Sequence, residues 1–371
     1  MEETHAFAGG KRHYELVKDF LPKNAQWINI TAPLSILFEK MRQTSQDWLI
    51  FASGDPLFFG IGNTLKREFP EAEFSIFPVF NSLQLLAHRF SINYGEFRTI
   101  TLTGRDWHEF DKALIQGESR IAVLTDKKNT PPVIASRMLE YGYDNYTVYY
   151  GERMGGEDEK MARLTLQETT TRTIHHPNCF FLEMTEFRLP RKGIPEGEFD
   201  ILNGRPNMIT KMPVRLATLS ALELHSKKVF WDIGACTGSI SIEARLHFPH
   251  LQVVAFEKRE ESRELIQKNA RKFQTPGIKL FIGDYLEVDK KNTKQPDAVF
   301  LGGYGGEMSK ILDDVNSYLA SKGTIIFNSV SEKSLSEFLD WAKINHYTMR
   351  PPQLLSVDSH NPITVLAIEK Q

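Results

Sequence analysis

The apolar run Val229-Phe230-Trp231-Asp232-Ile233 leads straight into a loop of small residues, Gly234-Ala235-Cys236-Thr237-Gly238, and then into the helical spacing of Ile240 to Leu246. A short run of this kind, bounded by glycine, predicts a strand buried on both faces, and the alternation places it in a doubly wound sheet. The loop lets backbone N–H groups approach a ligand closely, and the helix start behind it is electropositive, so something small and partly anionic is held there. The next strand, Leu251 to Phe256, ends at Glu257, where such folds place the acid that accepts hydrogen bonds from ribose hydroxyls. Together they describe a nucleoside site. The loop reads G-x-x-x-G and lacks the G-x-G-x-x-G whose second glycine makes room for a pyrophosphate. That pattern favours S-adenosylmethionine, an adenosine with an amino acid and no phosphate, and disfavours a nicotinamide dehydrogenase.

The chain of 371 residues exceeds the usual single-domain range, so two domains are expected. Hydrophobic residues at 41% and charged residues at 25% are ordinary for a globular protein. With no run of membrane-span length and no basic-then-apolar start after Met1-Glu2-Glu3, a cytoplasmic protein without a membrane partner is expected. A net charge of -2 argues against a nucleic-acid partner, which needs many cations on one face. Cys179 and Cys236 stand far apart and form neither a disulfide framework nor a metal site. His175-His176 reads as surface rather than as a metal ligand pair, because no third ligand lies at suitable spacing.

Residues 188–206, rich in proline, glycine and charge, read as a linker between domains at 1–187 and 207–371. Beyond it, helices at 214–224, 240–246 and 260–273 alternate with strands at 229–233, 251–256 and 278–282, and further strands follow at 297–301, 323–327 and 364–368. This predicts a mainly parallel sheet with helices on both faces and a cleft beyond the strands' carboxyl ends, where Asp232, Glu257, Asp284 and Gly302-Gly303 converge. The first half is also α/β, with strands predicted at 26–30, 48–52, 74–77, 98–102, 120–124 and 146–150 and helices at 34–43 and 132–141. Its most distinctive string is Ala52-Ser53-Gly54-Asp55-Pro56-Leu57-Phe58-Phe59-Gly60-Ile61-Gly62. A Gly-Asp-Pro alone is a turn signal; the whole string is much rarer.

That string resembles the S-adenosylmethionine loop of the tetrapyrrole (corrin) methyltransferases. Thr101-Leu102-Thr103-Gly104-Arg105 and Tyr150-Gly151-Glu152-Arg153-Met154-Gly155 are similar to segments of the subfamily that methylates carbon 5 of the precorrin ring. The second half resembles the decarboxylating carbon 15 methyltransferases through Gly193-Ile194-Pro195 with Phe199, Met208 to Arg215, Trp231-Asp232-Ile233-Gly234, and Phe300 to Gly306. The order is that of the fused carbon 5 and carbon 15 enzymes of cobalamin biosynthesis. The resemblance implies a tetrapyrrole methyltransferase-like α/β domain followed by a Rossmann-like class I methyltransferase domain. It also implies a precorrin or cobalt-precorrin substrate and a homo-oligomer. Two departures stand out. Cys236 replaces a glycine of Gly-Ala-Gly-Thr-Gly, and the first strand with its Gly-x-Gly-Pro-Gly loop has no counterpart before Gly9-Gly10-Lys11-Arg12-His13. The second departure leads to the expectation of a truncated sequence or an impaired carbon 5 activity, with methylation at carbon 15 the more dependable.

At the C-terminal site the resemblance sets the methionine part of the cofactor against Gly234, Ala235, Cys236, Thr237 and Gly238 below Asp232, ribose on Glu257, adenine near Asp284 and Tyr285, and Thr210 at the edge. Asp284 fits a helix N-cap about as well as an adenine contact. Arg205, Lys211 and Arg215 are placed to meet the substrate's carboxylates, or are surface charge. In the first half Gly54, Asp55 and Pro56 shape the cofactor turn. Asn81 and Ser82 fall on a family cofactor loop or cap a helix. No residue stands out as a general acid for loss of CO2. A nucleic-acid methyltransferase would have an Asp/Asn-Pro-Pro-aromatic tetrad where this chain has Leu301-Gly302-Gly303-Tyr304.

Overall fold

The computed structural model describes residues 4–188, 190–203, 205, 208–357 and 361–371. Of the sequence readings, the start at Met1-Glu2-Glu3 and the linker positions Leu189, Gly204 and Pro206 lie outside the described residues.

The chain packs as two compact units, one of residues 1–96, 150–162 and 175–180, the other of 97–149, 163–174 and 181–371. This division does not run through 188–206. The first unit contains strands β1 (Ala6–Gly9), β2 (Gln26–Asn29) and β3 (Trp48–Ile50) in a parallel sheet of order β2-β1-β3. Ala6, Phe7 and Ala8 of the central strand are fully buried. The strand expected at 74–77 does not form. Among the described residues no strand lies beside it to receive its backbone groups, and Phe77 is 76% exposed. A five-stranded sheet follows, formed by β4 (Arg98–Thr101), β5 (Arg120–Leu124), β6 (Tyr146–Glu152), β7 (Lys160–Thr165) and β8 (Asn178–Met184) in the order β4-β5-β8-β6-β7.

The C-terminal sheet has eight strands: β9 (Val229–Ile233), β10 (Gln252–Glu257), β11 (Lys279–Ile282), β12 (Ala298–Leu301), β13 (Thr324–Ser329), β14 (Thr348–Met349), β15 (Gln353–Leu355) and β16 (Ile363–Glu369). Its order is β11-β10-β9-β12-β13-β16-β14, with β15 also on β16. The five strands from β11 to β13 run parallel, and β16 is antiparallel to β13. Alternation along β9 explains the apolar run: Val229, Trp231 and Ile233 enter one core with Phe256, Val299 and Phe327, while Phe230 enters the other with Val253, Phe300 and Ile326. From β9 the chain steps outward to β10 and β11, then returns to place β12 on the other side. Beyond the carboxyl end of β9, strand order therefore reverses, and a crevice opens there.

Candidate active site

A cavity of about 500 Å³ occupies that crevice, within the range for small-ligand sites. Ile233 to Thr237 line one side, Met208 to Lys211 another, and Glu257 to Arg259, Gly283 to Tyr285 and Gly302 to Gly305 close it. The loop is tied to both neighbouring strands. Gly234 and Ala235 donate their N–H groups to the Phe256 carbonyl at 2.8 and 3.0 Å, and Gly302 donates to the Ile233 carbonyl at 2.8 Å.

Gly234 has φ +80°, and a Cβ there would lie 2.5 Å from the Gly303 nitrogen. Two backbones meet at this point, so no side chain fits. Gly238 also has positive φ, but its missing Cβ faces Ile266, and it does not line the cavity. The expectation that it lies against the ligand is corrected on that ground: it turns the chain into the helix Ser239–His247. Gly234→Ala should cost about 2–4 kcal/mol from strain and displaced backbone and weaken cofactor binding. Gly238→Ala should leave cofactor affinity unchanged in calorimetric titration; equal losses from both would contradict this division.

Glu257 is buried at the loop. Its Oε2 accepts the Cys236 N–H at 2.8 Å, and its Oε1 accepts the N–H and Nη1 of Arg259, each at 3.0 Å. A carboxylate has about four acceptor positions. Oε2 thus keeps one open among the described residues, while both bonds to Oε1 come from Arg259. Asp284 accepts Lys258 Nζ at 2.6 Å and the Leu286 N–H at 3.1 Å, and these two bonds hold its carboxyl below the usual range. It caps a turn and lines the cavity at once. Tyr285 packs edge-on to Phe256, with ring centroids 5.1 Å apart, at the cavity floor. Thr210 lines the opposite wall.

Asp232 is fully buried. Its Oδ2 accepts the Ser241 N–H at 3.1 Å and hydroxyl at 2.6 Å, while Oδ1 has no partner among the described residues. Burial pushes its carboxyl up to about 7, with the Glu257 charge adding to the rise and the Ser241 bonds opposing it. The folded value is raised above the unfolded one, so the contribution to stability is best at low pH and is lost as pH rises from about 4 to about 7. At ~1.36 kcal/mol per unit the loss is roughly 4 kcal/mol. Denaturant unfolding of Asp232→Asn should lack this slope, so that the variant gains on the wild type between pH 4 and pH 8. Parallel curves for the two proteins would show that Asp232 titrates normally.

The cations read as substrate contacts separate in the structure. Lys211 lines the cavity with its Nζ 3.4 Å from Glu196. Arg205 is exposed and lies outside the cavity lining. Arg215 is 0% exposed. It donates Nε to Glu243 at 3.2 Å, Nη1 to the Thr210 carbonyl at 2.8 Å and Nη2 to the Ile194 carbonyl, and it stacks over Phe199. No face of it is left for a macrocycle, and its expected substrate role is withdrawn. Glu243 also accepts the N–H groups of Gly193 and Ile194 and His247 Nε2. Burial alone would raise its carboxyl, but these donors and Arg215 bring it below the usual value. The Gly193-Ile194-Pro195 motif is thus a loop pinned by a buried ion pair.

In the first unit Gly54, at φ +68°, lets the turn lie against Asn81, whose Cα is 3.0 Å from the position of a Cβ. Asp55 Oδ1 accepts the Leu57 N–H at 2.8 Å, and the Pro56 carbonyl accepts from Gly62. The structure therefore joins the two predicted loop segments. Asn81 caps the helix Ser82–Phe90 through a reciprocal pair with Gln84: its side-chain oxygen accepts the Gln84 N–H at 2.9 Å, and its own N–H donates to Gln84 Oε1 at 3.0 Å. His175 is paired with Glu152 at 3.1 Å. Sequence reading missed Lys258, Arg259, Tyr304, Glu307, Asn328, Val330 and Ile363 in the cavity wall. The rule that ligands sit beyond strand carboxyl ends could have found Lys258, Arg259 and Asn328; nothing local marks Ile363.

Residues 6–170 match the tetrapyrrole (corrin/porphyrin) methylases and residues 204–354 the precorrin methyltransferase domain. The cobalt-precorrin-6B C(15)-methyltransferase (decarboxylating) of Salmonella typhimurium is 36% identical over 138 residues, 37% of this chain and 70% of that protein. The chain belongs to the precorrin methyltransferase family. A family member of Sinorhizobium sp, precorrin-6Y C(5,15)-methyltransferase [decarboxylating], is 29% identical over 358 residues, 96% of this chain and 84% of that protein. The solved structure of precorrin-6y C5,15-methyltransferase from Geobacter metallireducens GS-15 is 31% identical, covers 48% of this chain and 98% of that one, and superposes with a TM-score of 0.45. Among the described residues no helix is long and apolar enough to cross a membrane.

Proposed function

We propose that this chain methylates a precorrin or cobalt-precorrin macrocycle at carbons 5 and 15 with S-adenosylmethionine and removes CO2 from the acetate at carbon 12, in cobalamin biosynthesis. The succession of the two family matches along one chain, at 6–170 and 204–354, carries this reading. A relative matched over 96% of this chain has both carbons in its name. The alternative in which the first half merely supports the second is for that reason not favoured. Domain boundaries at 188–206 go with the proposal, as do a homo-oligomeric state, a cytoplasmic setting and the absence of a nucleic-acid partner.

When bound, the cofactor supplies an electrophilic methyl carbon on sulfur. The protein's part is to orient the two reactants and to exclude water. Glu257 would take the ribose hydroxyls, Asp284 and Tyr285 the adenine, Ala235 to Thr237 the methionine end, with Thr210 at the edge. The unpartnered Oδ1 of Asp232, a residue of the cavity lining, fits such a ligand. Gly54, Asp55, Pro56, Asn81 and Ser82 would form the corresponding site of the first half. Lys211, and Arg205 beside it in sequence, would meet the substrate's carboxylates.

Mass spectrometry of the product made from a precorrin with unmethylated carbons 5 and 15 tests this. The expected product is heavier by two methyl groups and lighter by one CO2. A gain of one methyl with loss of CO2 would confine the activity to the C-terminal half, and an unchanged substrate would overturn the reading.

A further inference from the structure

Cys236 is a bulky choice for its place. Its φ is +52°, a left-handed conformation that glycine adopts at no steric cost and that strains any residue with a Cβ. Strain kept at a ligand loop suggests that the side chain has a task. Its contacts say which. The backbone N–H holds Glu257 Oε2 at 2.8 Å, and the thiol donates to the Met208 carbonyl at 3.1 Å. Met208 to Lys211 form one wall of the cavity, the loop forms another, and both include residues assigned above to the cofactor. Arg215 fastens that wall at the Thr210 carbonyl; the Cys236 thiol fastens it at the Met208 carbonyl, while Arg205 reaches only the Met208 sulfur, at 3.7 Å from the exposed side.

We propose that Cys236 is a positioning residue: its S–H holds the Met208–Lys211 wall against the cofactor loop and so sets the affinity of the C-terminal site for S-adenosylmethionine. The inference rests on reading this cavity as the cofactor site. Burial pushes the thiol up to about 11, with Glu257 adding to the rise, so the proton needed for the bond is present at neutral pH. A thiol is a weak donor, and a modest effect is expected.

Three variants of the full chain separate the donor from the backbone. Cys236→Ala keeps the strained φ and removes the donor, Cys236→Ser keeps both, and Cys236→Gly removes both. Calorimetric titration with S-adenosylmethionine should show binding at the C-terminal site weakened about two- to fivefold in Cys236→Ala and Cys236→Gly, as for one modest hydrogen bond. Cys236→Ser should stay within about twofold of the wild type. The melting temperature should separate from affinity, because Cys236→Gly relieves strain and should melt no lower than Cys236→Ala while binding as poorly. Affinities within twofold in all three variants would overturn the proposal. So would a serine variant as weak as the alanine one, since sulfur packing rather than the donor would then matter. If the wild-type domain binds no cofactor, or if Glu257→Ala leaves its affinity intact, the underlying site reading fails instead, and the proposal falls with it.

Discussion

Replacing Arg215 by alanine should cost about 3–5 kcal/mol of stability, the usual penalty for leaving one partner of a buried ion pair behind. Glu243 would keep its charge in a helix whose other residues from Ser239 to Leu246 are all buried, and the carbonyls of Thr210 and Ile194 would lose their donors. Both carbonyls belong to segments that lead into the cavity wall, so the site would loosen as the domain weakens. Lysine should not rescue it, because a single ammonium cannot reach the three acceptors that a planar guanidinium serves at once. Denaturant unfolding of the full chain checks this. A variant within about 0.5 kcal/mol of the wild type and with a raised KM for the macrocycle would instead restore Arg215 as a substrate contact.

Arg215 also shows where sequence reading runs out. Its neighbours Lys211 and Arg205 are cavity-lining or exposed, and a charge in the first turn of a helix after a proline-rich stretch resembles surface. What buries it is Glu243, on a different helix, and the loop at Gly193. The signal that was present lay in Ile240-Ser241-Ile242-Glu243-Ala244-Arg245-Leu246: two charges in an otherwise apolar helix must either break its burial or find partners, and here both found them. The strands were more legible. Val229 to Ile233 is a continuous apolar run because its sheet is covered on both faces, and once the parallel order was inferred, the strand ends at Glu257, Asp284 and Gly302 were bound to meet. The 74–77 segment has the same apolar composition, yet composition does not supply the neighbouring strand that a ladder requires. Nor does a glycine reveal from sequence which side its missing Cβ faces, and so Gly234 and Gly238 read alike although one abuts the Gly303 backbone and the other the Ile266 side chain.

Glu257→Ala should produce the largest loss of cofactor affinity. Each hydrogen bond from a ribose hydroxyl to a carboxylate is worth roughly 1.5–3 kcal/mol, so losing one weakens binding at least tenfold and losing two more than a hundredfold. The variant also frees the Cys236 N–H and Arg259, which adds disorder in the loop. Glu257→Gln separates the two effects: its amide oxygen can still take the Cys236 N–H, but without the charge its bonds to the ribose fall to the neutral range. Its affinity should therefore lie between those of the wild type and Glu257→Ala. Because the first half is expected to hold a cofactor of its own, the measurement is a count as well as an affinity. Titration of the full chain with labelled S-adenosylmethionine should give two sites in the wild type and one in Glu257→Ala. An unaltered pair of sites would remove Glu257 from the cofactor, and with it the reading of the crevice at β9 as the place where methyl transfer to carbon 15 is prepared.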